Sequence, residues 1–174
     1  MTAKHLAVVI SGMLCLAAAG LSGCTLMHDE LDPCPSGVDL KFVYDYNIQR
    51  ADMFPDHVGG VTVYVFDQSG RYITQQEDFN TAADRPLASH SYRMHLDLAP
   101  GTYQFVALAH QRGMDDCLSD AGAKYRHAAM VPGQNSLSDL RVVLDRMDGE
   151  VVNEGTHLDT LWHGMSATPL AVRD

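Results

Sequence analysis

An all-β sandwich is the fold class that this sequence predicts, on three observations. From Val38 onward, apolar and polar residues alternate with period 2 in short runs. Gly, Pro, Asn and Asp separate those runs, as tight turns require. No stretch of the domain carries the long 3.6-period apolar face of an amphipathic helix.

The first residues stand apart from that fold. An apolar run from Leu6 to Leu16 thins into small residues at Ala17 to Gly20 and ends in Leu21-Ser22-Gly23-Cys24, the form of a bacterial lipobox. With Lys4 as a minimal basic leader, residues 1–23 are expected to be a lipoprotein signal peptide. A membrane-spanning helix needs about 20 apolar residues, and the polar stretch from Thr25 to Asp32 arrives too soon for one. A plain secretory signal followed by a chance cysteine is the alternative. On the lipoprotein reading Cys24 is the acylated first residue. Each buried methylene then contributes about 0.8 kcal/mol, and more than one chain gives stable anchoring.

Residues 24–37 read as an acidic tether: Asp29, Glu30 and Asp32 are followed by Pro33 and Pro35, which exclude regular helix and ladder donation. It is either a solvated spacer or a sorting signal read by export machinery. Cleavage before Cys24 leaves about 150 residues, enough for one core without metals. The full chain of 174 residues carries a net charge of −10, and losing Lys4 makes it more acidic. No Lys or Arg cluster offsets that charge, so neither nucleic acid nor anionic headgroups are expected partners. Membrane attachment has to come from lipid.

Cys34 and Cys117 are then the remaining thiols of an exported chain, which makes them a candidate disulfide. Closing a loop of about 84 residues would remove roughly 4–5 kcal/mol of denatured-state entropy. Two independent buried thiols are the alternative, since sequence gives no distance between them.

The sandwich is expected over residues 38–164. Its first run places Val38, Leu40, Phe42 and Tyr44 on a core face and Asp39 and Lys41 on a wet one. Val61 to Phe66 is nearly continuous in β-formers. Asp67-Gln68-Ser69-Gly70 then turns it into Arg71 to Thr74 as a hairpin. Tyr92 to Leu98 alternates again, and Pro100-Gly101 is expected to close a second hairpin with Thr102 to Ala109. Beyond Ala109 the pattern weakens. The composition allows a short helix near Ala121 to Ala129, Leu140 to Asp145 reads as a strand followed by an Asp148-Gly149 turn, and a short strand is allowed near His157 to Trp162. Residues 165–174 read as a tail or as the start of a missing second domain.

Catalysis has no positive signature. His28, His57, His90, His95, His110, His127, His157 and His163 form no recognised metal spacing and read as dispersed surface residues. Asp145 to Glu150 lacks the ligand pattern of a calcium loop, and Asp115-Asp116 reads as solvated acids in a Gly-rich loop. No nucleophile elbow or phosphate-cradling loop occurs. No metal, cofactor or enzymatic activity is expected.

Several segments in order carry a likeness: the lipobox Cys24, Asp32-Pro33-Cys34-Pro35-Ser36-Gly37, Leu40 to Asn47, Val61 to Asp67, Leu98-Ala99-Pro100-Gly101-Thr102-Tyr103 and Leu161-Trp162-His163-Gly164. Together they resemble the FimB/Mfa-type fimbrial anchor or minor-subunit lipoproteins of Bacteroidales, over most of residues 21–164. The resemblance implies a transthyretin-like Greek-key β-sandwich of about seven strands. It also implies a lipid-anchored subunit of a cell-surface fimbria at the outer membrane, joined to other fimbrial subunits by strand complementation. Members usually carry a second sandwich domain, and this sequence runs about 10 residues past Trp162-His163-Gly164. The rival function is a surface lipoprotein that binds a glycan or other small ligand through an aromatic sandwich face.

Overall fold

The computed structural model describes residues 36–111, 125–144, 146–147, 150–151 and 160–173, all within the compact unit Ser36–Asp174. The unit is an all-β sandwich. In chain order the strands are β1 (Val38–Leu40), β2 (Gly60–Asp67), β3 (Tyr72–Phe79), β4 (Met94–Leu96), β5 (Gly101–His110), β6 (Tyr125–His127), β7 (Val142–Leu144), β8 (Arg146–Met147), β9 (Glu150–Val151), β10 (Leu161–Met165) and β11 (Leu170–Val172). The one α-helix among the described residues, α1 (Phe54–His57), is a single turn, and no described helix is long and apolar enough to cross a membrane.

Strand β2 is the axis of the fold. It pairs antiparallel with β3 on one edge and with β5 on the other, and β10 and β11 both continue the sheet beyond β5. Because side chains alternate, β2 sends Val61, Val63 and Val65 to one face and Tyr64 and Phe66 to the other, and all five are buried. The valine face meets Phe105, Ala109 and Val172 of the same sheet. Above them lie Phe54, Leu87, Met94, Leu96 and Leu98 of the opposing layer. The aromatic face joins Tyr72, Val106 and Leu108 and is covered by Met130, Leu137, Leu140 and Val142. Both faces being covered explains why this segment reads as a nearly unbroken β-forming run rather than a clean alternation.

The expected β2–β3 hairpin is present, with Phe66 opposite Tyr72 and a bulge between Val65 and Phe66. Its turn is held by the Asp67 carboxylate, which accepts hydrogen bonds from Ser69 N–H (2.8 Å), Ser69 Oγ (2.6 Å) and Arg71 N–H (2.9 Å). Those bonds hold the Asp67 carboxyl below the usual range. Gly70 supplies the positive φ of 81° that ends the turn.

The second expected hairpin does not form. Tyr92 to Leu98 alternates as anticipated, with Met94, Leu96 and Leu98 buried, but β4 pairs with β1 in the opposing layer. The reason is that β5 has no free edge: β2 takes one side over its whole length, and β10 and β11 take the other. The Pro100-Gly101 segment is therefore a Greek-key crossover between layers, closed by a hydrogen bond from Tyr103 Oη to the Ala99 carbonyl (2.9 Å).

Three smaller expectations also shift. Within the stretch where a helix was allowed, Tyr125–His127 is a strand that pairs with β7, because Tyr125 and His127 turn toward the sheet while Arg126 faces outward. Of the late strand expected near His157 to Trp162, residues 157–159 lie outside the described residues, and the strand described is Leu161–Met165, with Trp162 opposite Ala109 on the core face. Residues 165–174, set apart from the sandwich in the sequence reading, include β11, whose pairing with β5 makes it part of the same sheet. Strand β8 pairs with β9, Met147 opposite Glu150, and the Asp148-Gly149 turn expected between them lies outside the described residues.

Two substitutions test this packing by urea unfolding. Phe66→Ala empties a fully buried site and is expected to cost about 3–5 kcal/mol, whereas exposed Lys41→Ala should stay within about 0.5 kcal/mol. Gly37 has φ 110° and sits against the Leu96 carbonyl, where a Cβ has no room. Gly37→Ala should therefore separate β1 from β4, seen as lost amide protection at Met94 to Leu96.

Candidate docking groove

The two layers are unequal. The large sheet has five strands, while β1 and β4 oppose it as a pair of three-residue strands. Past Leu40 the chain keeps its alternation but has no ladder partner among the described residues: Phe42 and Tyr44 turn inward while Lys41 and Val43 face out. A groove of about 370 Å³ opens between this segment and the β10–β11 side of the large sheet. Val63, Phe105 and Ala107 form its floor, Leu40, Phe42, Tyr44 and Phe54 one wall, and Trp162, Gly164, Met165 and Leu170 the other. Lys41, His163 and Ser166 border it; of these Lys41 faces outward and His163, opposite Leu108, lies toward the other sheet face.

Aromatic packing fixes the first wall. Phe42 stacks on Phe54 with ring centroids 5.4 Å apart, and Tyr92 packs against both. Tyr92 is itself held by a hydrogen bond from its hydroxyl to Asp78; burial first, and that bond second, push its ionisation far above the ordinary tyrosine value. Tyr44 spans the groove to Trp162, centroids 5.6 Å apart, and meets the edge of His57 on its other side. On the second wall, Ser166 returns the chain to β5: its N–H donates to the Phe105 carbonyl and its Oγ accepts from Phe105 N–H.

The rim is unusually apolar. Val43, Met165 and Leu170 are 52%, 58% and 44% exposed, and in the loop after Tyr44 the side chains of Tyr46 and Ile48 are 98% and 99% exposed. That loop is nonetheless well tied. Asn47 Nδ2 donates to the carbonyls of Tyr44 and Ala51, both at 2.7 Å, and Asp52 Oδ1 accepts from the backbone N–H of Tyr44 and Phe54, both at 3.1 Å.

The two open edges of the large sheet differ in kind. Strand β3 presents Gln75, Gln76, Glu77 and Asp78, the polar and charged protection typical of an exposed edge. Strands β10 and β11 present Leu161-Trp162-His163-Gly164-Met165 and Leu170-Ala171-Val172, beside the groove and without Asp, Glu, Lys or Arg. Among the described residues nothing pairs with their outer side.

Cys24, Cys34, Cys117, His28, His157 and Asp115-Asp116 lie outside the described residues. Among the described residues no three His, Cys, Asp or Glu converge as a metal cluster. His95 meets Asp39 on the surface at 2.8 Å, a pair worth little when exposed. The expectation of dispersed surface histidines fails for two of them. His127 Nε2 lies 2.8 Å from His110 Nε2, and His127 Nδ1 lies 2.9 Å from the Tyr64 hydroxyl. Burial, followed by the charge of His110, pushes His127 down to about 4. Burial raises Tyr64 well above its ordinary value, with Glu77 and Tyr72 adding to it. The two histidines lie seventeen positions apart on different strands, so no spacing motif announces the pair. The groove was hidden in the sequence for another reason: Leu40, Phe42 and Tyr44 show a core-facing pattern whether or not the opposing layer is complete.

The family model for the fimbrillin-A-associated anchor proteins Mfa1 and Mfa2 matches residues 31–171. Among solved structures, a Bacteroides thetaiotaomicron protein described as a candidate polysaccharide-binding protein is 30% identical, with a TM-score of 0.61, covering 79% of this chain and 42% of that one. A candidate adhesin from Bacteroides ovatus is 27% identical, with a TM-score of 0.56 and coverages of 79% and 41%. The fimbrial anchor protein Mfa2 from Porphyromonas gingivalis is 21% identical, with a TM-score of 0.57 and coverages of 81% and 45%, a likeness of fold. The chain thus spans less than half the length of each of these structures. No curated protein matches it.

The loop bonds make a local expectation. Asp52→Ala frees the N–H groups of Tyr44 and Phe54 and should cost about 1–2 kcal/mol. Hydrogen exchange at those two amides is expected to accelerate while the β2 amides stay protected.

Proposed function

The chain belongs to the family of fimbrillin-A-associated anchor proteins, and from that premise we propose that it is a non-enzymatic, adhesion-related subunit of a cell-surface fimbria whose groove accepts an extended strand from a neighbouring fimbrial subunit. The observation that carries the reading is the pairing of an apolar open edge, β10–β11, with an apolar groove directly beside it. A strand added there would satisfy free backbone groups of the edge, and every second side chain would enter the groove against Phe42, Tyr44 and Trp162. The exposed rim residues Val43, Met165 and Leu170 would be covered in the same step. The protected β3 edge is ill suited to this, because Glu77 and Asp78 would be placed against the incoming chain.

Cys24 is the proposed point of attachment, acylated after removal of residues 1–23, with residues 24–37 as the tether and the outer membrane as the destination. Cys34 and Cys117 are proposed to form a disulfide that ties the start of the domain to a later loop. The composition and the family both support a partner that is protein, not nucleic acid.

A glycan is the second reading. It is favoured by the aromatic lining of Phe42, Tyr44 and Trp162 and by the polysaccharide-binding description of the 30% identical relative. Against it, sugar hydroxyls need several converging polar groups, and of the polar residues that border the groove Lys41 faces outward and His163 lies toward the other sheet face.

Photocross-linking in the native envelope separates the readings. A photoreactive residue in place of Met165 is expected to capture a fimbrial subunit, while one in place of Ser69 in the β2–β3 turn captures none. Equal capture at both positions, or none at Met165 in an assembled fimbria, would sink the strand-acceptor reading. Emission of Trp162, the single tryptophan, should shift with a partner-strand peptide and stay unchanged with oligosaccharides. For the anchor, Cys24→Ala should abolish incorporation of labelled palmitate and release the protein from the membrane fraction; retained label would place the lipid elsewhere.

A further inference from the structure

We propose that His110 and His127 form an acid-released latch that holds the β6–β7 hairpin over the aromatic face of the central sheet. It is independent of the groove, which lies on the opposite face. His110 ends β5 and His127 ends β6, so a contact between them bridges hairpin and sheet. Their Nε2 atoms are 2.8 Å apart while their ring centroids are 4.9 Å apart, so the rings meet edge to edge. Two ring nitrogens at that distance need one hydrogen between them, donated by one ring and accepted by the lone pair of the other.

Counting protons gives the behaviour of the latch. With both rings neutral, one N–H lies between the Nε2 atoms, and the Tyr64 hydroxyl meets His127 Nδ1 as donor or acceptor, whichever the tautomer requires. One added proton still leaves one Nε2 free to accept. A second leaves two N–H groups and two positive charges facing each other, and the contact breaks. The low value for His127, about 4, comes from burial and from His110 and agrees with a second proton that is hard to add.

Among the described residues the other titratable groups around the pair are few. Tyr64 faces it from β2, with Glu77 of β3 behind Tyr64. Tyr125 of β6 packs beside His110, centroids 6.1 Å apart. His163 of β10 shares the sheet face, opposite Leu108. Burial first, and His110 second, keep the His127 ring neutral near pH 7.

Elsewhere the hairpin is held at the other end of its connecting segment. Gly133 N–H donates to the Tyr72 carbonyl, Tyr72 N–H to Asn135, and Leu137 N–H to Gly70. Breaking the latch therefore frees the β6 end while this end stays attached, and uncovers Tyr64 and Val106. The sign follows from a depressed histidine value: the stabilisation is complete above the unfolded value of 6.5 and is lost as pH falls from there toward 4.

Hydrogen exchange of the intact domain tests this, with rates corrected for the intrinsic effect of pH. Between pH 7 and pH 4, protection of residues 125–144 should fall by about tenfold or more while residues 60–67 keep theirs. His127→Gln and, separately, His110→Gln should remove this step. The wild-type imidazole signals, followed by NMR, should titrate in two separated steps. Simultaneous loss of protection at 60–67, or both rings titrating independently near 6.5, would overturn the latch.

Discussion

Everything described depends on one strand having no solvent side. β2 is paired on both edges and covered on both faces, so each of its residues has a structural neighbour in every direction. A fully buried Val or Phe contributes roughly 1.5–3 kcal/mol, and this strand concentrates five such large side chains in six positions. The covering layers are then obliged to exist. The β1–β4 pair, α1 and Leu87 close the valine face, and the β6–β7 hairpin with its connecting segment closes the aromatic face.

The groove follows from how unequally those covers are sized. A three-residue pair cannot shield a five-stranded sheet, and the deficit falls on the β10–β11 side, where Trp162 meets Tyr44 across the gap. Aromatic stacking of Phe42, Phe54 and Tyr92 keeps the near wall upright without a ladder partner. The open side is thus a stable part of the domain, and the polar β3 edge leaves it as the more receptive of the two.

What was legible in the sequence is what depends on neighbours along the chain. The alternation from Val38 to Tyr44, the Asp67 to Gly70 turn and the burial pattern of Tyr92 to Leu98 all belong to local geometry, and the structure has each of them. What was not legible depends on who occupies a strand's edge. Pro100-Gly101 looks like a hairpin turn, and only the claim of β2, β10 and β11 on both sides of β5 makes it a crossover. His110 and His127 are brought together by the same non-local pairing. Phe42 and Tyr44 show a core pattern, and their half-exposure depends on a layer that stops short, which no local signal encodes.

The place of β11 bears on the order in which the molecule is made. Val172 is buried in the valine-face core, and its strand lies against Gly101 to Tyr103, about 70 residues earlier in the chain. A polypeptide that emerges from a ribosome or a translocation pore N-terminus first can form the β2–β3 hairpin early, because that pairing is local. It cannot complete the sheet until β11 has cleared the exit. During that interval the far edge of β5 is bare, next to the most apolar strand of the protein. Vectorial synthesis therefore creates a time window in which holding factors, or rapid emergence of β11, decide between folding and self-association.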